Sequence, residues 1–378
     1  MRTPFNKPYS TGEELQSISD AIVSGQTAGN GPFTKKCHEL LKSGFGISEP
    51  LLTTSCTDAL EMSGLLLDIK QGDEIIVPAY TFVSTALAFA RQGATIVFAD
   101  SRIDNPCIDE GKIEALITNK TKAIVPVHYN GFSCEMDRIM EIAERYKLWV
   151  VEDAAHAFGA KYKGKVLGTI GHLGCFSFHE TKIVHCGEGG MLSVNDPGFK
   201  ERAEIIWEKG TNRSAFSRGE VEKYEWMDTG SSFLMSDISA AFLYAQLTNA
   251  SEILHRRKAQ WEAYYESLKE LEAKGLLRLP VISEYSEPNY AGFFLVLKSL
   301  LEQEQLRNKL NNSGIQAVTH YPDLSKSPYI LKNQPGTISS NTNSKKYQYT
   351  LLRLPLFHDL TFDQIREITK EIKIFFKF

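Results

Sequence analysis

The chain has 378 residues, 42% of them hydrophobic and 23% charged, with 42 Lys and Arg against 46 Asp and Glu and a formal net charge of −4. This is the composition of an ordinary globular protein, which excludes a disordered or fibrous chain, and the length suits two domains or one domain with an appendage. The slight acidity argues against nucleic acid as a partner, because neutralising a phosphate backbone needs a basic face, so any anionic ligand must be held by a local site.

The first ten residues are polar and contain proline, without the apolar core of a signal peptide. The longest apolar runs fall far short of the roughly 20 residues of a membrane span. Six scattered cysteines, with no Cys-x-x-Cys pair, are expected to be free thiols of a cytoplasmic protein. Short apolar runs at 51–54, 74–78, 95–100, 122–128, 148–153 and 174–178 read as strands, and 58–68, 83–92 and 136–146 as intervening helices. Gln71-Gly72-Asp73 supplies a turn and Gly93 a helix stop. This alternation predicts right-handed crossovers and an α/β fold with a mainly parallel central sheet flanked by helices. Beyond residue 235 the texture becomes helical. Leu254, Trp261, Tyr264, Leu268 and Leu271 recur at helical spacing up to Gly275, and Leu301, Leu306 and Leu310 mark a second helix. Ile365, Ile368, Ile372 and Phe375 form one face of a third, and 291–297 reads as a strand. The pattern divides the chain into a large α/β domain, 1–245, and a small C-terminal α+β domain, 246–378. His255-Arg256-Arg257-Lys258 is expected to be a solvated helix face, and 337–346 an exposed loop.

Strands of a parallel sheet deliver their C-terminal ends to a common crevice, where ligands bind. Ser55-Cys56-Thr57-Asp58 follows the first strand and opens a helix, which makes either a phosphate cradle or an ordinary helix cap. Phe82 follows the second and can cover a flat ligand or enter the core. Asp153, in Glu152-Asp153-Ala154-Ala155-His156, ends an apolar strand and needs a partner, whether a cationic ring nitrogen, an arginine or a helix N-terminus. Lys182 follows Phe176-Ser177-Phe178-His179-Glu180-Thr181 and precedes Gly187-Glu188-Gly189-Gly190, a setting suited to attack on a carbonyl. A phosphate cradle, a ring cover, a carboxylate and a lysine, each just past a strand, are together what pyridoxal 5'-phosphate requires. His156, His179 and His185 lack the spacing of metal ligands, so no metal is expected. The glycine cluster lacks the strand–turn–helix context of a dinucleotide fingerprint.

On these motifs the chain resembles the DegT-type sugar aminotransferases, within fold type I of the pyridoxal-phosphate enzymes. The resemblance runs from Pro4-Phe5-Asn6 to Leu354-Pro355-Leu356-Phe357 and is carried by 52–57, Pro126-Val127-His128-Tyr129, 176–182, 209–214 and 230–237. It implies that Lys182 attaches the cofactor, Asp153 pairs with its ring nitrogen and Phe82 stacks on the ring. Thr57 and Asp58 would hold the phosphate through their amides, with the Ser177 hydroxyl. His156 would lie near the 3-hydroxyl, where many members have Gln. Ser232 stands where the family often has Asn, reaching the phosphate from a partner subunit, and so implies a homodimer with the active site at the interface. The implied reaction is ping-pong transfer from L-glutamate to C4 of the nucleotide sugar dTDP-4-keto-6-deoxyglucose in surface-polysaccharide biosynthesis. Ile183-Val184-His185 after the lysine favours the 4-amino product over a 3-amino one, and the closeness of the resemblance favours the galacto epimer, with the gluco epimer as the alternative. A non-catalytic pyridoxal-phosphate-binding protein is the remaining alternative. Arg213 and Arg218 are candidates for the diphosphate, and Tyr321 for the sugar ring.

Overall fold

A computed structural model describes residues 3–335 and 341–378 of the chain. Two helices, α1 (Glu14–Val23) and α2 (Pro32–Phe45), precede β1 (Pro50–Thr53). There follow α3 (Cys56–Leu66), β2 (Glu74–Pro78), α4 (Ser84–Ala90), β3 (Thr95–Ala99), β4 (Thr121–Ile124), α5 (Met136–Tyr146) and β5 (Trp149–Asp153). A short hairpin, β6 (Lys161–Tyr162) and β7 (Lys165–Val166), leads to β8 (Leu173–Ser177) and β9 (Gly190–Val194). Seven of these strands form one sheet in the order β1-β9-β8-β5-β4-β2-β3. All run the same way except β9, which is antiparallel to both β1 and β8. Strands β5, β8 and β9 are buried, most of them along their full length, because helices cover both faces of the sheet.

The chain then continues through α6 (Lys200–Trp207), α7 (Arg213–Ser217), α8 (Asp237–Thr248) and the long α9 (Ala250–Ala273). Strand β10 (Ser286–Glu287) pairs back onto β6. Strands β11 (Phe293–Val296) and β12 (Leu351–Leu354) form a separate antiparallel pair packed with α10 (Leu300–Asn312), α11 (Pro328–Asn333), α12 (Thr342–Thr350) and α13 (Phe362–Phe375). One apolar cluster runs without a break from Leu52, Ile76 and Ile124 of the large sheet through Trp261 and Leu268 of α9 to Phe293, Leu352 and Ile368. A second cluster fills the other face, where Ala59 and Leu60 of α3 meet Ile75, Val151 and Leu192. Among the described residues no helix is long and apolar enough to cross a membrane.

Three expectations change. Residues 342–346 of the expected loop are helical, part of α12, and 336–340 lie outside the described residues. Arg257 is no solvated side chain: it is 4% exposed and donates from Nη1 to the Leu356 carbonyl, tying α9 to the segment after β12. The glycine run at 187–190 ends in β9, whose reversed direction the alternating pattern does not foretell. The six cysteines are buried free thiols.

Candidate active site

The ends of β1, β2, β5 and β8 open onto a cavity of about 480 Å³, closed on its far side by residues of the β11–β12 pair and by the 320–321 segment. At β1, Ser55 caps α3: its Oγ accepts the Asp58 amide at 3.0 Å. Cys56 and Thr57 begin the helix at the cavity wall, and Thr57 Oγ1 donates to Ser84 Oγ at 2.9 Å, which brings the α4 start alongside. Strand β9 presses directly on this turn. A Cβ at Gly190 would lie 2.2 Å from the Ser55 carbonyl carbon and 2.3 Å from the Cys56 nitrogen, so only glycine lets the strand pass. Ser55, Cys56 and Thr57 at the start of α3 thus line the cavity, where the positive end of a helix suits an anion.

At the end of β5, Asp153 is 4% exposed and turns into the cavity, while its neighbour Glu152 points to the opposite face, as alternation along a strand requires. The two carboxylates have different surroundings. Glu152 is closed in by donors: the amides of Gly168 (2.8 Å), Ile170 (2.7 Å) and Gly171 (2.6 Å), and His128 Nε2 at 2.8 Å. Among the described residues the Asp153 carboxylate receives the Thr85 hydroxyl (2.7 Å) and the Ala155 amide (3.1 Å) alone. Burial raises its pKa, against those two hydrogen bonds and the nearby Lys182 ammonium.

Lys182 is half-buried in the loop between β8 and β9. Burial brings its amine down to about 8, opposed by the Asp153 charge. His156 accepts the Asn130 amide on Nδ1 at 3.2 Å, and burial with the nearby Lys182 and Arg353 charges holds its pKa well below the usual value. A neutral imidazole that accepts on Nδ1 carries its proton on Nε2, so His156 is a hydrogen-bond donor at any ordinary pH. Ser177 also lines the cavity. Phe82 stands at the rim, 56% exposed, its ring 6.1 Å from that of Tyr321, which joins Tyr80 and Tyr129 in an aromatic wall.

Thr57, Phe82, Asp153, His156, Ser177, Lys182 and Tyr321 are thus brought to one cavity, and four expected residues are not. Asp58 turns its carboxylate back to the Thr54 and Ser55 hydroxyls and spends its amide on Ser55. Ser232 is exposed, bridged to Glu208 through the backbone. Arg213 is exposed beside Glu208, and Arg218 is already paired with Glu204 and Glu220, which hold its pKa up. Sequence reasoning missed Asn130, Ser84 and Arg353, all of which line the cavity. For Arg353 a signal existed: a lone cation inside the apolar run Leu351-Leu352-Arg353-Leu354.

A neutralisable buried amine, a buried carboxylate in no ion pair among the described residues, a neutral donor imidazole and a helix start closed by Gly190 fit pyridoxal 5'-phosphate residue by residue. Fold and site define a pyridoxal-phosphate-dependent aminotransferase of fold type I. Related proteins agree. The uncharacterized protein MJ1066 of Methanocaldococcus jannaschii is 33% identical over 376 residues, 98% of this chain and 96% of that protein. The spore coat polysaccharide biosynthesis protein SpsC of Bacillus subtilis is 29% identical over 379 residues, 98% and 96% of the two chains. The pyridoxal-phosphate form of the putative sugar aminotransferase Spr1654 from Streptococcus pneumoniae superposes with a TM-score of 0.90 at 26% identity, over 99% of this chain and 98% of that one. The chain belongs to the DegT/DnrJ/EryC1/StrS aminotransferase family, whose sequence profile spans residues 8–373.

Proposed function

We propose that the chain is a nucleotide-sugar aminotransferase that transfers the amino group of L-glutamate to C4 of dTDP-4-keto-6-deoxyglucose, giving the 4-amino-4,6-dideoxygalactose nucleotide. The observation that carries the catalytic part is the shared cavity of Lys182 and Asp153, an amine near neutrality with a buried carboxylate that makes no ion pair among the described residues. The sugar class is supported by the resemblance to SpsC and Spr1654. The C4 position is supported by the Ile183-Val184-His185 sequence after the lysine.

Bound pyridoxal phosphate supplies the electron sink that makes the donor's α-proton acidic. The amides of Cys56 and Thr57, with the Ser177 and Ser84 hydroxyls, would hold the phosphate, Asp153 would keep the ring nitrogen protonated, and His156 Nε2–H would donate to the 3-oxygen. Phe82 would cover one face. Lys182 accepts the proton leaving the donor's α-carbon and, in the return half-reaction, delivers one to C4 of the sugar. The enzyme works as a cytoplasmic homodimer, with 1–245 and 246–378 acting as one catalytic unit. Dimerisation is supported by the apolar side chains exposed after α7, Tyr224, Met227 and the 82% exposed Trp226, and by the position of Ser232 and Arg213 outside the chain's own cavity, where they can serve a partner. The test is NMR of the product made from L-glutamate and the keto-sugar. A small H3–H4 coupling is expected for the axial C4 amine. A large one assigns the gluco epimer, a 3-amino sugar overturns the position, and no product overturns the substrate. Sedimentation should give about twice the 42.4 kDa of one chain.

A further inference from the structure

Asp153 ends β5 with its carboxylate buried, and its two oxygens are held from different directions. The Ala155 amide, from the turn directly after the strand, reaches Oδ1 at 3.1 Å. The Thr85 hydroxyl, from α4 and 68 residues earlier in the chain, reaches Oδ2 at 2.7 Å. Thr85 Oγ1 in turn lies 2.9 Å from Oγ1 of Thr81, and both threonines are buried. A chain of two hydroxyls therefore runs from the cavity wall, which Thr81 lines, to the far side of the carboxylate.

Proton counting fixes the direction of this chain. An ionised carboxylate only accepts, and a hydroxyl has one proton to give. Thr85 gives its proton to Asp153, so the proton between the two threonines is that of Thr81. Donors aligned in this way polarise one another toward the anion. With a protonated Asp153 both bonds would reverse, and the Thr81 proton would then have no acceptor among the described residues, which is costly for a buried donor. The chain thus favours the carboxylate over the acid. Burial raises the Asp153 pKa, and the Thr85 bond is the largest effect opposing it, ahead of the Ala155 amide and the Lys182 charge. Other groups nearby offer little help. Burial keeps the Cys56 and Cys175 thiols neutral, and His128 spends its Nε2–H on Glu152.

We propose that Thr85, backed by Thr81, is a positioning residue that keeps Asp153 ionised and aimed at the ring nitrogen of pyridoxal phosphate, so that the proton between them stays on the ring. The inference rests on the role proposed above for Asp153. Thr85 lies outside the cavity lining and acts through the carboxylate alone. The same bond ties the start of α4 to the end of β5, which sets Phe82 and Ser84, both in the cavity wall, relative to Asp153.

The test reads the ring nitrogen directly, by 15N NMR of the protein loaded with 15N-labelled pyridoxal phosphate, because pyridinium and neutral pyridine nitrogens resonate far apart. The parent protein should show the pyridinium position at neutral pH. Thr85→Val keeps the shape and removes the donor. It should move the resonance toward the neutral position and slow the glutamate half-reaction roughly 10- to 100-fold, the range for a lost hydrogen bond to a charged group, with half-saturating glutamate changed less than about 3-fold. Thr85→Ser, which keeps the hydroxyl, should restore the parent resonance and rate. Thr81→Val should move the resonance the same way by a smaller amount. A resonance unmoved in Thr85→Val, or moved as far in Thr85→Ser, would overturn the inference. Should Thr85→Val fail to fold or to retain cofactor, Thr81→Val decides, and an unmoved resonance there counts against the chain. Asp153→Asn separates this inference from the reading beneath it. If the resonance ignores Asp153→Asn, the role of Asp153 falls; if it responds to Asp153→Asn and not to Thr85→Val, only the role of Thr85 falls.

Discussion

Lys182 is the residue whose chemistry the structure quantifies. An exposed lysine at 10.5 is about one part in 3,000 neutral at pH 7, whereas an amine at about 8 is about one part in 10 neutral, a gain of roughly 300-fold in nucleophile. The gain comes from burial, with the Arg353 charge adding to it and the Asp153 charge opposing it. Capture of pyridoxal phosphate by the apoprotein needs the neutral amine. In stopped-flow absorbance between pH 6 and 10, the capture rate should rise about tenfold per pH unit and level off near pH 8. Each neighbouring charge should move that inflection in a known direction. Asp153→Asn removes a stabiliser of the ammonium and should move it below 8, and Arg353→Gln removes a repulsion and should move it above 8. A rate that climbs without a break to pH 10, or inflections that move the other way, would refute the assignment of the depressed amine to this environment.

Asp153 and Glu152 should respond in opposite directions to loss of charge. A carboxyl whose pKa is raised by folding costs stability once pH exceeds that pKa, so Asp153→Asn should leave the apoprotein as stable or more so at pH 7 by thermal melting, while turnover falls about 100-fold or more. Glu152→Gln, by contrast, puts an NH2 group where one oxygen now accepts from two of the four donors and should cost about 3 kcal/mol in denaturant unfolding. Gly190→Val should destabilise by about 1–3 kcal/mol and, by displacing the α3 start, release cofactor on gel filtration that the parent protein retains.

Much of this arrangement is written locally in the sequence. Residues 74–78 and 136–146 are bounded as expected, because the Gly72 turn and the Glu135 cap fix their starts without help from distant residues. The positions of Asp153, His156 and Lys182 follow from the rule that strand ends meet at one crevice. Other features depend on partners far along the chain. Strand β9 carries no directional signal of its own, and its reversal is settled by pairing with β1 and β8 at once. The sequence of Asp58 does not reveal that the Ser55 hydroxyl takes its amide, since both the capped and the ligand-binding turn use the same residues. The start of α2 likewise depends on a distant partner: proline suits the first helical turn, but the Phe33 and Thr34 amides are capped by the Asp237 carboxylate, 204 and 203 residues later.

The contact among Gly292, Asn130 and Arg353 also constrains how this protein can change over generations. A side chain added at 292 would lie 2.5 Å from Arg353 Nη2 and 2.6 Å from Asn130 Oδ1, so both side chains must shift to admit it. Once Arg353 is replaced by a smaller residue, room opens at 292, and any side chain acquired there then blocks the arginine's return. Replacement at 353 is therefore open to reversal only until 292 changes.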